Sequence, residues 1–138
     1  MNVLIVDDEP LARERLSRMV GELEGYRVLE PAASNGEEAL SAIKAQPYDL
    51  VLMDCEMPVL DGFSATEQLR AWEQSEKRPR TPVVALTAHI LSEHKERARA
   101  VGMDGHMSKP VELSQLRELI EHWIAERELR RQRDALPH

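Results

Sequence analysis

Asp54 closes a short apolar run, Leu50-Val51-Leu52-Met53, and three other segments end in a similar way. Asp7-Asp8 follow Val3-Leu4-Ile5-Val6, Thr87 follows Val83-Val84-Ala85-Leu86, and Lys109-Pro110 follow His106-Met107-Ser108. If these runs are parallel strands, their carboxyl ends share one rim, where open α/β sheets place their sites. Three carboxylates gathered there repel one another, and a hard divalent cation with oxygen ligands is the simplest compensation, Mg²⁺ first among them. Asp8 and Asp54 are the expected direct ligands, with Asp7 weaker or water-mediated. A carboxylate can also attack a phosphoryl donor to give an aspartyl phosphate, the metal neutralising charge on the reacting oxygens. Asp54, central among the strands, is the expected nucleophile. Lys109 would pair with one phosphoryl oxygen, and the Thr87 hydroxyl would donate to another and thereby move its own loop.

Taken singly, each residue has a plainer explanation. A strand-end Asp is usually a cap or turn residue, and Asp8 before Pro10 fits that description. Thr87 could cap a helix, and Lys109 could be a solvated surface charge. Their concurrence at four strand ends is what makes the pattern specific. Met57-Pro58 with Asp61-Gly62 forms a turn close enough to Asp54 to shape the site. Cys55 reads as buried and inert. His89, His94, His106, His122 and His138 lack compact metal-ligand spacing, which argues against zinc.

The elements that must position these groups alternate. The runs at 3–6, 50–53 and 83–86 are continuous rather than alternating, as expected of parallel strands covered on both faces. Leu11, Ala12, Leu16, Met19, Val20 and Leu23 recur at helical spacing, with Pro10 acceptable in the first turn and Gly21 and Gly25 at the fraying end. Residues 26–33 read as a second strand, placed at an edge because Pro31 removes a ladder donor. Helices are expected after Asn35-Gly36, from Phe63 to Gln74, and from a Ser92 cap to about Val101. The last helix carries Leu113, Leu116, Leu119, Ile120, Trp123 and Ile124, and the segment beyond it, 126–138, is a charged helical extension or tail. The alternation predicts a doubly wound α/β domain over 1–125, its five parallel strands in the order 2-1-3-4-5.

With 138 residues the chain suits a single domain without disulfides. Its net charge of −7 argues against nucleic-acid binding, which needs a clustered basic surface. One cysteine, no leader-like start and no span-length apolar run suggest a soluble, cytoplasmic protein with no membrane partner. Leu91, Val101 and Val111 could belong to a dimer face or equally to the core, so oligomeric state is open.

Asp7-Asp8, Asp54 with Met57-Pro58 and Asp61-Gly62, Thr87-Ala88 and Lys109-Pro110 together resemble the receiver domains of two-component response regulators. The resemblance implies a CheY-like, flavodoxin-type fold and Mg²⁺-dependent phosphorylation of Asp54. It also implies a Glu56 backbone carbonyl in the metal shell and a cis Lys109-Pro110 bond. The implied donor is a phosphohistidine on a histidine kinase or histidine phosphotransfer protein, or a small donor such as acetyl phosphate. By the same resemblance the threonine couples to an aromatic residue on the fifth strand, where this chain departs from the pattern with His106 in place of Tyr or Phe. The expected switch pair is Thr87 and His106, with the imidazole as a smaller rotor, and the alternative is a tolerated polar substitute on an edge strand that leaves the switch weaker. Such a module phosphorylates itself and loses the group slowly, and is not a turnover enzyme. Two alternatives belong to other classes. One is an inert scaffold serving as a phosphorylation-independent interaction module. The other is an aspartate-nucleophile phosphohydrolase, disfavoured because Glu56 stands where a second Asp would be expected. Residues 1 to about 40 resemble LytTR-type regulators of the alginate-biosynthesis kind, while the remainder resembles receivers of hybrid sensor histidine kinases. That contrast suggests an engineered chimera joined at residues 35–41, the alternative being one natural receiver of mixed character.

Overall fold

In the computed structural model, which describes the chain apart from residues 24, 30, 31, 58, 89–91 and 136–138, strands and helices alternate throughout. The elements are β1 (Asn2–Val6), α1 (Pro10–Gly21), β2 (Arg27–Val28), α2 (Gly36–Ala45), β3 (Leu50–Asp54), α3 (Gly62–Ser75), β4 (Val83–Thr87), α4 (Ser92–Val101), β5 (Gly105–Ser108) and α5 (Leu113–Ala135). The sheet is parallel with order β2-β1-β3-β4-β5. This is the doubly wound order expected from the sequence.

Successive strand residues face opposite layers, which explains the unbroken apolar runs. Leu4 and Val6 pack with Leu40 and Ile43 of α2, Phe63 and Leu69 of α3 and Ala98 of α4. Val3 and Ile5 pack with Leu16 and Val20 of α1 and with Leu116 and Ile120 of α5. Complete burial of Leu4, Ile5 and Leu52 contributes about 1.5–3 kcal/mol each relative to exposure. Asn35 caps α2 by accepting from the Glu38 amide at 2.9 Å, and Glu38 reaches back to the Ser34 amide at 2.8 Å and to its hydroxyl. These hydrogen bonds hold the Glu38 carboxyl below its ordinary pKa.

Several expectations change. β2 spans only Arg27–Val28, not residues 26–33, although the Leu29 and Ala33 amides still donate to the β1 carbonyls of Val3 and Ile5. A strand this short still occupies the edge, and Pro31 lies outside the described residues. Leu11 is 79% exposed because α1 turns that side of its first turn away from the sheet. Val111 is core, packed in the layer with Leu116 and Ile120, while Val101 is partly buried against the other layer. Ser92, expected as the cap, is instead the first residue of α4, and Leu91, His89 and His138 lie outside the described residues. The 125/126 division falls inside α5, which runs on to Ala135. No helix among the described residues is long and apolar enough to cross a membrane.

Candidate functional site

Parallel register sets the site. Val6 pairs with Met53, Asp54 with Leu86 and Thr87 with Ser108, so Asp7, Asp54, Thr87 and Lys109 leave the sheet side by side along one rim. One carboxylate oxygen from each of Asp7, Asp8 and Asp54 lies within 4.8 Å of the others. Asp7 is wholly buried, Asp54 is buried and Asp8 is exposed. The Lys109 ammonium stands 3.0 Å from Asp7 Oδ2 and 3.3 Å from Asp54 Oδ2.

Three carboxylates against one ammonium leave a surplus of negative charge in a partly desolvated place. Burial pushes the Asp54 carboxyl from its ordinary 3.8 up to about 6, and the Asp7 charge adds to the rise. A 3.1 Å hydrogen bond from the Glu56 amide to Oδ1 opposes it, as does the Lys109 charge. Burial works against the charge on Lys109, but the Asp7 hydrogen bond and the Asp54 charge hold its pKa above the usual value. An oxygen-rich, under-compensated cluster is the donor set that a hard cation takes, and the residues present fit Mg²⁺. Cys55 is buried, and burial with the neighbouring carboxylates of Asp54, Glu56 and Asp61 pushes its thiol up to about 12, which keeps it inert.

Residues that sequence reasoning passed over fix this geometry. Asp7 is tied at three points: its amide donates to the Ala33 carbonyl at 3.1 Å, its Oδ1 accepts from the Glu9 amide at 3.0 Å, and its carbonyl accepts from Arg13 Nη1 at 2.7 Å. Arg13 lies one helical turn beyond Glu9, and without the fold its partner was unreadable. Asp8 is no helix cap: Glu9 takes that position in α1 and no side chain caps it. The Asp61-Gly62 pair has two tasks. Asp61 caps α3 by accepting from the Ser64 amide at 2.8 Å, and a Cβ on Gly62 would sit 2.5 Å from the Asp54 carbonyl oxygen. Only glycine permits α3 to begin so close to the acceptor strand. In the same loop Val59 has φ 72°, a left-handed conformation that a β-branched residue seldom adopts. Pro58 lies outside the described residues.

Thr87 is buried at the end of β4, where its carbonyl accepts from the Lys109 amide at 2.8 Å. His106 is exposed on β5 opposite Ala85, yet it lines a cavity of about 10 Å³ together with Thr87, Cys55, Phe63 and His94. Glu56 is exposed, and its amide hydrogen-bonds Asp54. The Lys109-Pro110 bond is cis.

A five-stranded parallel sheet whose carboxyl rim carries an acidic cluster beside a lysine defines a flavodoxin-like domain of the CheY type. The chain belongs to the response regulator receiver domain family, whose model matches residues 3–121. It is 50% identical over 120 residues to the positive alginate biosynthesis regulatory protein of Pseudomonas aeruginosa, covering 87% of this chain and 46% of that protein. It is 41% identical over 121 residues to the sensor histidine kinase GacS of Pseudomonas protegens, covering 88% and 13%. The chain thus spans less than half the length of these relatives. Among solved structures it resembles the receiver domain of a Pseudomonas aeruginosa sensor histidine kinase with a magnesium ion coordinated in its active-site cleft. That likeness has a TM-score of 0.77 and 36% identity, covering 90% of this chain and 97% of the other. It also resembles a Saccharomyces cerevisiae complex of the phosphotransfer protein Ypd1 with the receiver domain of Ssk1, at TM-score 0.80 and 30% identity, covering 89% and 88%. Because the alginate-regulator match extends over 120 residues and the kinase match over 121, neither is confined to one side of residues 35–41. The two-source expectation with a join there finds no support.

Proposed function

We propose that the chain accepts a phosphoryl group on Asp54 and acts as a conformational switch in a two-component phosphorelay. The observation that carries this reading is the buried Asp54 carboxylate, raised to about 6, clustered with two further carboxylates and touching one ammonium. An Asp54 oxygen attacks the phosphorus of a phosphohistidine; the new P–O bond forms as the P–N bond breaks and the imidazole leaves. Lys109, already within 3.3 Å of the acceptor, pairs with a phosphoryl oxygen, and the Thr87 hydroxyl donates to another. Asp8 and Asp54, with Asp7 and the Glu56 backbone carbonyl, would hold Mg²⁺. When bound, the ion neutralises charge on the attacking and transferred oxygens.

Thr87 drawn toward the phosphoryl group biases the β4–α4 and β5 surface, and His106, across the small cavity from it, completes the switch pair. The partner is a histidine kinase or a histidine phosphotransfer protein, consistent with the kinase relative and with the phosphotransfer complex of the yeast receiver. Leu11 and Val59, 79% and 73% exposed in segments that follow Asp8 and Asp54, offer apolar contact to such a partner. A phosphorelay partner of this kind places the chain in the cytoplasm. Residues 1–125 form the receiver unit, with 126–138 a charged extension or tail to it. The module is a switch that slowly loses its phosphoryl group, not a turnover enzyme.

Fluoroberyllate with Mg²⁺ tests this reading by amide NMR. Saturable shifts at Thr87 and Lys109 that vanish in Asp54→Asn are expected. An unresponsive native chain would leave the interaction-module alternative, and multiple-turnover release of phosphate from simple monoesters would favour the phosphohydrolase.

A further inference from the structure

At the opposite end of the strands from the acidic rim lies a cleft of about 570 Å³, within the range of small-molecule sites. The start of β1, the start of β3 and the approach to β4 contribute Val3, Leu50 and Pro82 to it. Ile43, Tyr48 and Trp72 come from the α2–α3 layer, and Tyr26, Ile120 and Trp123 from the α1–α5 layer. Two cations lie over one of its indoles: Lys44 Nζ is 5.9 Å and Arg78 Cζ 5.7 Å from the Trp72 ring centroid. Neither forms an ion pair among the described residues, whereas Arg80, also lining the cleft, is held by Asp104. The carboxylate of the cleft, Asp49, accepts from the Asn2 amide at 2.7 Å. The Tyr26 hydroxyl is buried with no hydrogen-bond partner among the described residues, a costly condition for a polar group unless something else accepts its proton. Burial, and then Glu121, push its pKa up, so it remains a donor.

We propose that this cleft binds a small aromatic carboxylate, its ring on the Tyr48, Ile120 and Trp123 surface and its anionic group between Lys44 and Arg78. Charge decides the ligand class. In a chain of net charge −7, unpaired cations beside an aromatic cavity favour an anionic aromatic molecule over a neutral or cationic one. The site shares no residue with the acidic rim and does not depend on the phosphoryl reading.

The chain's two tryptophans, Trp72 and Trp123, both line the cleft and report on it directly. Titration with 2-naphthoate, followed through their indole N–H resonances, should give saturable shifts of both. The isosteric neutral 2-naphthamide should bind at least about tenfold more weakly, and Lys44→Ala with Arg78→Ala should erase that difference by weakening naphthoate alone. Both replaced residues are exposed, so the fold is expected to survive, and unchanged amide resonances of the strands β1, β3 and β4 would show it. Equal binding of acid and amide to the native chain, or shifts that do not saturate at the two indoles, would overturn the proposal.

Discussion

Two clusters of charge, each with buried carboxylates, stand out among the described residues, and they are built on opposite principles. The one beneath the β4 entrance is balanced: Arg70 and Arg80 face Glu73 and Asp104, with ion-pair distances of 2.8 to 2.9 Å. Arg70 also donates to the Gly102 and Thr81 carbonyls, and both carboxylates accept backbone amides, Glu73 from Thr81 and Asp104 from Val83. Every charge there has a fixed partner, and the cluster ties α3 to the segments that enter β4 and β5. The rim cluster gathers Asp7, Asp8 and Asp54 around Lys109, the one cation that forms an ion pair with them among the described residues. A buried cluster that balances itself is a clamp; one left with surplus charge is waiting for a charged ligand.

The contrast can be broken most sharply at Asp54. Asp54→Asn should abolish acid-labile phosphoryl incorporation from a phosphohistidine donor, measured with labelled phosphate, while the fold persists. Retained labelling would move the acceptor elsewhere. Next in size, Arg70→Ala should destabilise the chain by about 3–5 kcal/mol in urea unfolding, because it leaves buried Glu73 with no cation and Asp104 with the exposed Arg80 alone. Excess Mg²⁺ should not restore that loss. Lys109→Ala should cost less stability and regain it in Mg²⁺, since a cation can replace the ammonium at the rim, yet partner binding should no longer follow phosphorylation. Equal rescue of both variants would dissolve the distinction between clamp and ligand site.

Smaller effects follow from protonation. The folded Asp54 titrates at about 6 against an ordinary 3.8, so without metal its contribution to stability is fully present below 3.8 and lost as pH rises through 6. Asp54→Asn should therefore gain about 1–2 kcal/mol at pH 7 without divalent ions and flatten that part of the pH–stability curve. Mg²⁺ must displace the same proton, so its affinity should rise about tenfold between pH 5 and pH 7 in calorimetric titration. Smallest of all, Glu56→Ala should leave Mg²⁺ affinity nearly unchanged, because the proposed ligand is the backbone carbonyl.

The sequence by itself determined the number of strands, their order and the rim residues, though not the extent of β2. Continuous apolar runs ending in Asp7-Asp8, Asp54, Thr87 and Lys109 are local signals, and the parallel sheet converts local strand ends into one neighbourhood. Tertiary structure alone decided the rest. That Leu11 faces solvent and Val111 the core depends on how helices and loops sit against the sheet, which helical spacing does not fix. Arg13 on the Asp7 carbonyl, the glycine demanded at position 62 by the Asp54 carbonyl, and the Arg70 clamp reaching to Asp104 all depend on contacts between segments. Tyr26, Trp72 and Trp123 each read in sequence as ordinary strand or helix apolar residues. They line one cleft because the sheet brings its two helical layers together at the strand starts, and pattern along a chain carries no record of that meeting.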